Sequence, residues 1–209
     1  MKRTLALALA AVLTVGPALA GAQTYTFMNS VGIQPFDVGT ITLSQVNGTT
    51  VNVSVDLKDG YGFVNTGGPH TPFAFNLAGT ETGVSGTFLQ PSGGNYAFGM
   101  FSLSTTNGGN TPWGNYGVSI NSTAGSGTSE AYFGDLSFNV IRTSGLSTND
   151  FVTNADGYYF SADLTNSQNT GAQAWGVRAT STVPEPASVA LVGTALLGLG
   201  VVRIRRRTV

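Results

Sequence analysis

Short runs of alternating apolar and polar residues recur through the central part of this chain. The clearest are residues 41–44 (Ile-Thr-Leu-Ser) and 51–57 (Val-Asn-Val-Ser-Val-Asp-Leu). A period of two places the apolar side chains on one face of a half-buried β-strand. Asn47-Gly48 lies between these two runs and is a strong hairpin signal. The pattern therefore predicts antiparallel pairing.

The same pattern predicts eleven strands, separated by turns rich in Gly, Asn and Ser. Their expected bounds are 25–28, 39–46, 50–57, 61–65, 73–77, 83–89, 96–104, 116–120, 131–141, 158–164 and 172–180. Ser147 and Asp150 have capping-box spacing, which predicts a single helical turn. The expected fold class is all-β, an antiparallel, jelly-roll-like β-sandwich.

The N-terminus has the three-part pattern of a secretory signal peptide. Lys2 and Arg3 precede an uncharged run, which Gly16-Pro17 interrupts before a series of small residues. Cleavage after Ala20 or Ala22 satisfies the small-x-small rule. We therefore expect residues 1–22 to be a signal peptide and the mature chain to be exported.

The C-terminus combines an uncharged segment, 187–202, with a basic end. At about 1.5 Å per residue this segment would span roughly 24 Å as a helix, short of a hydrocarbon core about 30 Å thick. Arg203 can snorkel outward, and the bilayer can thin locally. The basic residues Arg203, Arg205, Arg206 and Arg207 hold this end in the cytoplasm. The expected precursor is anchored in the inner membrane and faces the periplasm.

Pro184-Glu185-Pro186, the apolar segment and the arginine cluster together resemble the PEP-CTERM sorting signal of Gram-negative bacteria. The resemblance implies that an exosortase-type membrane enzyme recognises Pro184, Glu185 and Pro186 and removes the tail. It also implies a cell-surface or extracellular destination, associated with exopolysaccharide and biofilm matrix. The expected organisation is a signal peptide (1–22), an ectodomain (23–181) and a sorting signal (182–209), whose motif, transmembrane segment and basic tail occupy 184–186, 187–202 and 203–209.

Charge and cysteine content exclude several classes of function. Between residues 23 and 183, nine acidic side chains face three basic ones, a net charge of −6. No basic stripe is available to neutralise phosphates, so nucleic acid is not an expected partner. The chain contains no cysteine, so disulfides and thiolate metal sites are excluded.

Candidate catalytic and metal-binding residues are sparse. His70 is the only histidine and lies in a Gly-Gly-Pro-His-Thr-Pro loop, where a loop-stabilising hydrogen bond is its expected role. Glu81 and Glu130 could pair with an aspartate as in a glycosidase, although surface turns favour simple solvation. Asp150, Asn154 and Asp156 could form a weak calcium site, but the EF-hand pattern is incomplete. We therefore predict no catalytic residue, metal or cofactor, and a protein that is not an enzyme.

Aromatic residues offer the best candidates for ligand binding, because flat rings beside Asn and Asp suit a polysaccharide. Trp113, Tyr116 and Trp175 are predicted as the binding residues. Trp113 lies in a Gly-Asn-Thr-Pro-Trp-Gly-Asn segment that is typical of an exposed loop. The alternative for such aromatics is burial in the core.

Two functions are therefore expected. The first is a non-enzymatic surface protein that is sorted by its tail and contacts matrix polysaccharide. The alternative is a secreted hydrolase or lyase that acts on that polysaccharide. A concave pocket with two close carboxylates, or His70 beside a carboxylate, would favour the enzyme, whereas a flat surface would favour binding.

Overall fold

Two antiparallel sheets make up the fold. The computed structural model describes residues 22–28, 37–66, 68, 70–89, 101–106, 108–123, 128–166 and 173–177. The strands of this described part are β1 (Gln23–Met28), β2 (Asp37–Asn47), β3 (Thr50–Leu57), β4 (Tyr61–Phe63), β5 (Phe73–Leu77), β6 (Val84–Leu89), β7 (Phe101–Ser104), β8 (Gly108–Gly109), β9 (Asn115–Tyr116), β10 (Val118–Ser122), β11 (Leu136–Arg142), β12 (Phe151–Val152), β13 (Phe160–Asn166) and β14 (Gln173–Val177). The helical elements in the same ranges are two 3-10 turns, Thr128–Glu130 and Thr148–Asp150.

The strand order shows how the chain crosses between the sheets. The first sheet has the order β1-β2-β3-β11-β6, and the second has β14-β13-β5-β10-β7. β12 pairs with the end of β5, β4 pairs with β13, and β8 pairs with β9 as a separate short ribbon. Because the hairpin of β2 and β3 turns at Gly48 and Thr49, the turn predicted from Asn47-Gly48 is confirmed.

The core lies between the sheets and is rich in aromatic rings. Phe73 of the second sheet meets Phe138 of the first edge-to-face, with ring centroids 6.0 Å apart. Tyr25 and Phe160 make a similar contact at 4.9 Å. β11 alternates buried and half-buried positions along its whole length, which is the period-two pattern read from the sequence. The all-β, antiparallel sandwich is therefore confirmed at this level, while jelly-roll connectivity stays a prediction.

A second, polar layer covers the far side of β13. Ser161, Asp163 and Thr165 alternate with the core residues of this strand and are nevertheless buried. Asn110 crosses this layer: its Nδ2 donates to Ser161 Oγ at 2.9 Å, and its Oδ1 accepts from the Thr71 N–H at 2.8 Å. The loops before β5 and β9 are thereby fastened over the sheet.

Arg142 ties the end of β11 to the second sheet. Its Nη1 donates to the Ala78 carbonyl at 2.7 Å, its Nε donates to the Gly145 carbonyl at 2.7 Å, and its Nη2 lies 3.2 Å from Asp150 Oδ2. Asp150 also accepts from the Ser147 N–H at 2.6 Å, so the single capped turn predicted there is confirmed.

The prediction of one continuous strand over 131–141 is wrong, because the strand begins at Leu136. Tyr132 instead makes an isolated antiparallel bridge with Phe63 of β4. The predicted strand 116–120 is likewise interrupted at Gly117. Residues 96–100 and 178–180 of two further predicted strands lie outside the described residues.

Candidate functional site

A cleft of about 290 Å³ opens between the turn that joins β3 to β4 and the loop that precedes β11. This volume is close to the lower end, about 300 Å³, of small-molecule sites. Its lining residues combine two aromatic rings with charged groups: Leu57, Lys58, Asp59, Gly60, Tyr61, Phe133, Gly134 and Asp135.

The first wall is a tight turn. The Tyr61 N–H donates to the Lys58 carbonyl at 3.1 Å, which closes a four-residue β-turn. Gly60 occupies the third position with φ +87°, a conformation that favours glycine. Tyr61 is half-buried, packs against the core and lines the cleft, and Asp59 is exposed at its rim.

The second wall is a loop built around a buried tyrosine. Tyr132 is 2 % exposed, and its hydroxyl donates to the Asp135 carbonyl at 2.9 Å. The backbones of Tyr132 and Phe63 exchange hydrogen bonds of 2.8 and 2.9 Å. The loop is therefore fastened at its start to β4 and at its end to the tyrosine ring.

Phe133 is the exposed aromatic residue of this wall, with 43 % of its surface accessible. Its ring lies against Gly62 of β4: a Cβ added there would stand 2.9 Å from Phe133 Cδ1 and 2.9 Å from the Tyr132 carbonyl oxygen. Real Cβ atoms do not approach so closely, so the ring position depends on glycine at 62. An apolar ring held in place beside solvent is a preorganised surface for stacking.

Carboxylates dominate the electrostatics of the cleft. Burial and the neighbouring charge of Asp56 raise the pKa of Asp135, whereas a hydrogen bond from the Leu57 N–H lowers it. Asp56 and Asp135 are therefore neighbouring acidic groups, and both are exposed. Lys58 Nζ is 3.1 Å from Asp37 Oδ2, so the lysine of the cleft is paired with a carboxylate outside its lining.

The aromatic residues predicted to bind ligand lie elsewhere. The expectation that Trp113 is exposed is wrong: it is 2 % exposed, and Asn154 Nδ2 donates to its carbonyl at 2.6 Å. Tyr116 is 1 % exposed, and burial raises the pKa of its phenol. Trp175 pairs with Ala162 through its backbone, and its side chain lies outside the described residues. Ligand binding by these three residues stays a prediction.

The carboxylate nearest in effect to His70 is the buried Asp163, but no hydrogen bond or ion pair joins the two side chains among the described residues. Asp163 is fully buried and accepts from the Thr66 N–H at 3.1 Å and from its hydroxyl at 2.5 Å. Burial raises the pKa of Asp163, and the two bonds from Thr66 and the charge of His70 oppose that rise. The carboxylate therefore holds the loop through Thr66 rather than facing solvent, whereas the buried Nδ1 of His70 has no hydrogen-bond partner among the described residues.

The remaining carboxylate candidates contribute to local structure. A Cβ at Gly117 would lie 2.3 Å from Glu81 Oε1, so this carboxylate lies against the backbone between β9 and β10. Glu130 is exposed in a 3-10 turn.

The calcium candidates are similarly engaged. Asp150 binds Arg142 and Ser147, as described above. Asn154 Oδ1 accepts from the N–H groups of Asp156 and Tyr158, at 3.0 and 2.9 Å. Within the described ranges, no three His, Cys, Asp or Glu side chains are grouped so that they could hold a metal ion.

Tyr61 and Phe133 are not among the site residues predicted from the sequence. The pattern of residues 131–141 predicts one continuous strand. Within such a strand, nothing distinguishes Phe133 from its neighbours as a site residue. A usable signal was present in the two glycines: Gly62 leaves room for the ring, and Gly134 leaves room for Tyr132, whose hydroxyl would lie 2.8 Å from an added Cβ.

Comparison with known proteins identifies the tail. Residues 182–207 match the PEP-CTERM protein-sorting motif, which confirms the assignment made from Pro184, Glu185, Pro186 and the terminal arginines. The motif indicates an exported, membrane-processed surface protein and an exosortase-type enzyme as processing partner. No curated protein and no solved structure significantly resembles the chain.

The membrane-related predictions fall on other parts of the chain. Among the residues that the structure describes, no helix has the length and apolar character needed to cross a membrane. The expected signal peptide (1–22), the segment 187–202 and the basic residues Arg203, Arg205, Arg206 and Arg207 lie outside the described residues.

Proposed function

We propose that this protein is a non-enzymatic component of the extracellular matrix, sorted by its tail, whose ectodomain binds polysaccharide in the cleft between Tyr61 and Phe133. The N-terminal segment directs export, and residues 187–202 anchor the precursor in the inner membrane with its body in the periplasm. Cleavage at the Pro184-Glu185-Pro186 motif then releases the ectodomain to the surface, where it associates with exopolysaccharide and biofilm.

The observation that carries the binding proposal is the exposed Phe133 ring held against Gly62. An apolar ring in water normally costs free energy, and a rigid one offers a sugar ring a flat partner without loss of side-chain entropy on binding. Tyr61 adds a second ring, and the carboxylates at the rim accept hydrogen bonds from sugar hydroxyls.

The test is affinity electrophoresis of the full chain, purified in detergent, through gels that contain exopolysaccharide from the producing cells. We expect retardation of the unsubstituted protein and its loss in Phe133→Ala. Leu89→Ala is the matched control, because Leu89 is 42 % exposed and lies outside the cleft. Equal retardation of the Phe133→Ala variant would refute binding in this cleft.

The second candidate is a secreted hydrolase or lyase, and the observation that favours it is the cleft carboxylate of Asp135 with the acidic group of Asp56 near it, because a pair of carboxyl groups is what a glycosidase uses. Release of new reducing ends from the polysaccharide, abolished by Asp135→Asn, would establish the enzyme.

A further inference from the structure

The geometry points to an amino sugar as the ligand of the cleft: we infer that it binds a polysaccharide unit with a free, protonated amine, stacked on Phe133 and bonded to Asp135. This inference rests on the proposed function, because it assigns a ligand class to the same cleft. Three observations support it: the exposed ring of Phe133, the carboxylate of Asp135 in the same cleft, and the negative charge of the residues around them.

The carboxylate of Asp135 is held in position. The Leu57 N–H donates to this carboxylate. The backbone carbonyl of Asp135 accepts a hydrogen bond from the Tyr132 hydroxyl. The backbone of Asp135 is therefore anchored in the loop that carries Phe133 two residues earlier, and both residues line the cleft. A sugar that stacks on this ring presents its substituents to the carboxylate without further ordering of the protein.

The charge of the cleft selects a cation. Asp59 and Asp135 line it, the negative charge of Asp56 acts on Asp135, and the charge of Lys58 is offset by Asp37. Two carboxylates as close as Asp56 and Asp135 repel each other when both are ionised. An ammonium group relieves this repulsion and donates up to three hydrogen bonds, whereas a uronic acid would add a further negative charge.

A metal ion fits the cleft less well than an ammonium group. Calcium takes about 6–8 oxygen ligands, and the Asp56–Asp135 pair supplies one side of such a shell at most. The Phe133 ring of the same lining supplies no oxygen ligand but matches the apolar face of a pyranose. The pair and the ring together therefore complement a sugar amine.

The experiment is calorimetric titration of the full chain in detergent with three hexasaccharides: glucosamine, N-acetylglucosamine and galacturonate. We expect the glucosamine hexamer to bind at least about tenfold more tightly than its acetylated form, the gain of one charge-assisted hydrogen bond. Asp135→Asn should remove that preference and leave the affinity for the acetylated hexamer within about twofold. Glu130→Gln, an exposed carboxylate outside the cleft, is the matched control.

Several results would overturn the inference. Equal, Phe133-dependent binding of the acetylated and free-amine hexamers would overturn the amine assignment and leave the proposed function intact. Retention of the preference in Asp135→Asn, equally tight binding of hexalysine, or loss of binding on chelation of calcium would each overturn it. If no hexamer binds and the exopolysaccharide gels also show no retardation, the proposed function fails with it.

Discussion

The ring of Phe133 lies where the side chain of residue 62 would be if that residue were not glycine. A Cβ at position 62 would come within 2.9 Å of Phe133 Cδ1 and within 2.9 Å of the Tyr132 carbonyl oxygen. One absent side chain thus sets the position of the aromatic wall of the cleft. This contact relates the backbone of β4 to the proposed binding site.

Gly62→Ala should therefore displace Phe133 and reduce binding as much as Phe133→Ala does. Overpacking of this kind costs about 1–3 kcal/mol, so the free energy of unfolding should fall by that amount. Urea denaturation and the gel assay on the same preparation measure both effects. Gly48→Ala is the control, since nothing lies within 4 Å of a Cβ there. Undiminished binding by Gly62→Ala would show that the ring position is immaterial.

Arg142→Met should destabilise the fold more than any exposed ion-pair variant. The guanidinium group is largely buried, donates hydrogen bonds to the Ala78 and Gly145 carbonyls and pairs with Asp150. Its removal deprives these two carbonyls and the carboxylate of their bonds to Arg142. We expect a loss of roughly 2–4 kcal/mol in the free energy of unfolding. Lys58→Met breaks an exposed pair and should cost about 0–1 kcal/mol. Similar losses for both variants in chemical denaturation would contradict this ranking.

Asp163→Asn should change how stability depends on pH. Burial raises the folded-state pKa of Asp163 above 3.8. The stabilisation that this carboxyl group gives the folded state is therefore fully present below pH 3.8 and is lost as pH rises through the folded-state pKa. The amide does not ionise. The stability of Asp163→Asn relative to the unsubstituted protein should therefore increase from pH 3 toward neutrality. Denaturation midpoints at several pH values measure the difference, and a constant difference would contradict the buried carboxylate.

Much of the sandwich could be predicted from the sequence because its information is local. β3 and β5 occur with the predicted bounds, since alternation and a Gly-rich turn suffice to define a strand. The position of Phe133 could not be predicted in this way. It depends on the Phe63–Tyr132 bridge, which joins residues 69 positions apart and overrides the alternation of 131–141.

Trp113 shows the opposite failure. Its Gly-, Asn- and Pro-rich surroundings are typical of an exposed loop, yet Asn110 and Asn154 satisfy the backbone of that loop from within the protein. Polar residues here fill a second buried layer over β13 instead of facing water. Composition alone does not distinguish the two situations, because buried polar groups need only internal partners.

Binding of the amino sugar should strengthen as pH rises through the raised pKa of Asp135. The carboxylate must be ionised to accept from the ammonium group, so affinity should be low where Asp135 is protonated. Titration of the glucosamine hexamer between pH 4 and 7 measures this rise (roughly tenfold for one charge-assisted bond). Asp135→Asn should show a flatter profile, and identical profiles would assign the titration to another group.

The most direct test of the binding cleft is NMR of the full chain with ring-labelled phenylalanine, titrated with the glucosamine hexamer. The chain contains twelve phenylalanines, and the Phe133 resonance is assigned from its absence in Phe133→Tyr. We predict that the Phe133 ring signals shift with saturation while those of the core rings Phe73, Phe75 and Phe138 stay in place. Saturable binding that leaves the Phe133 signals unchanged would contradict the account.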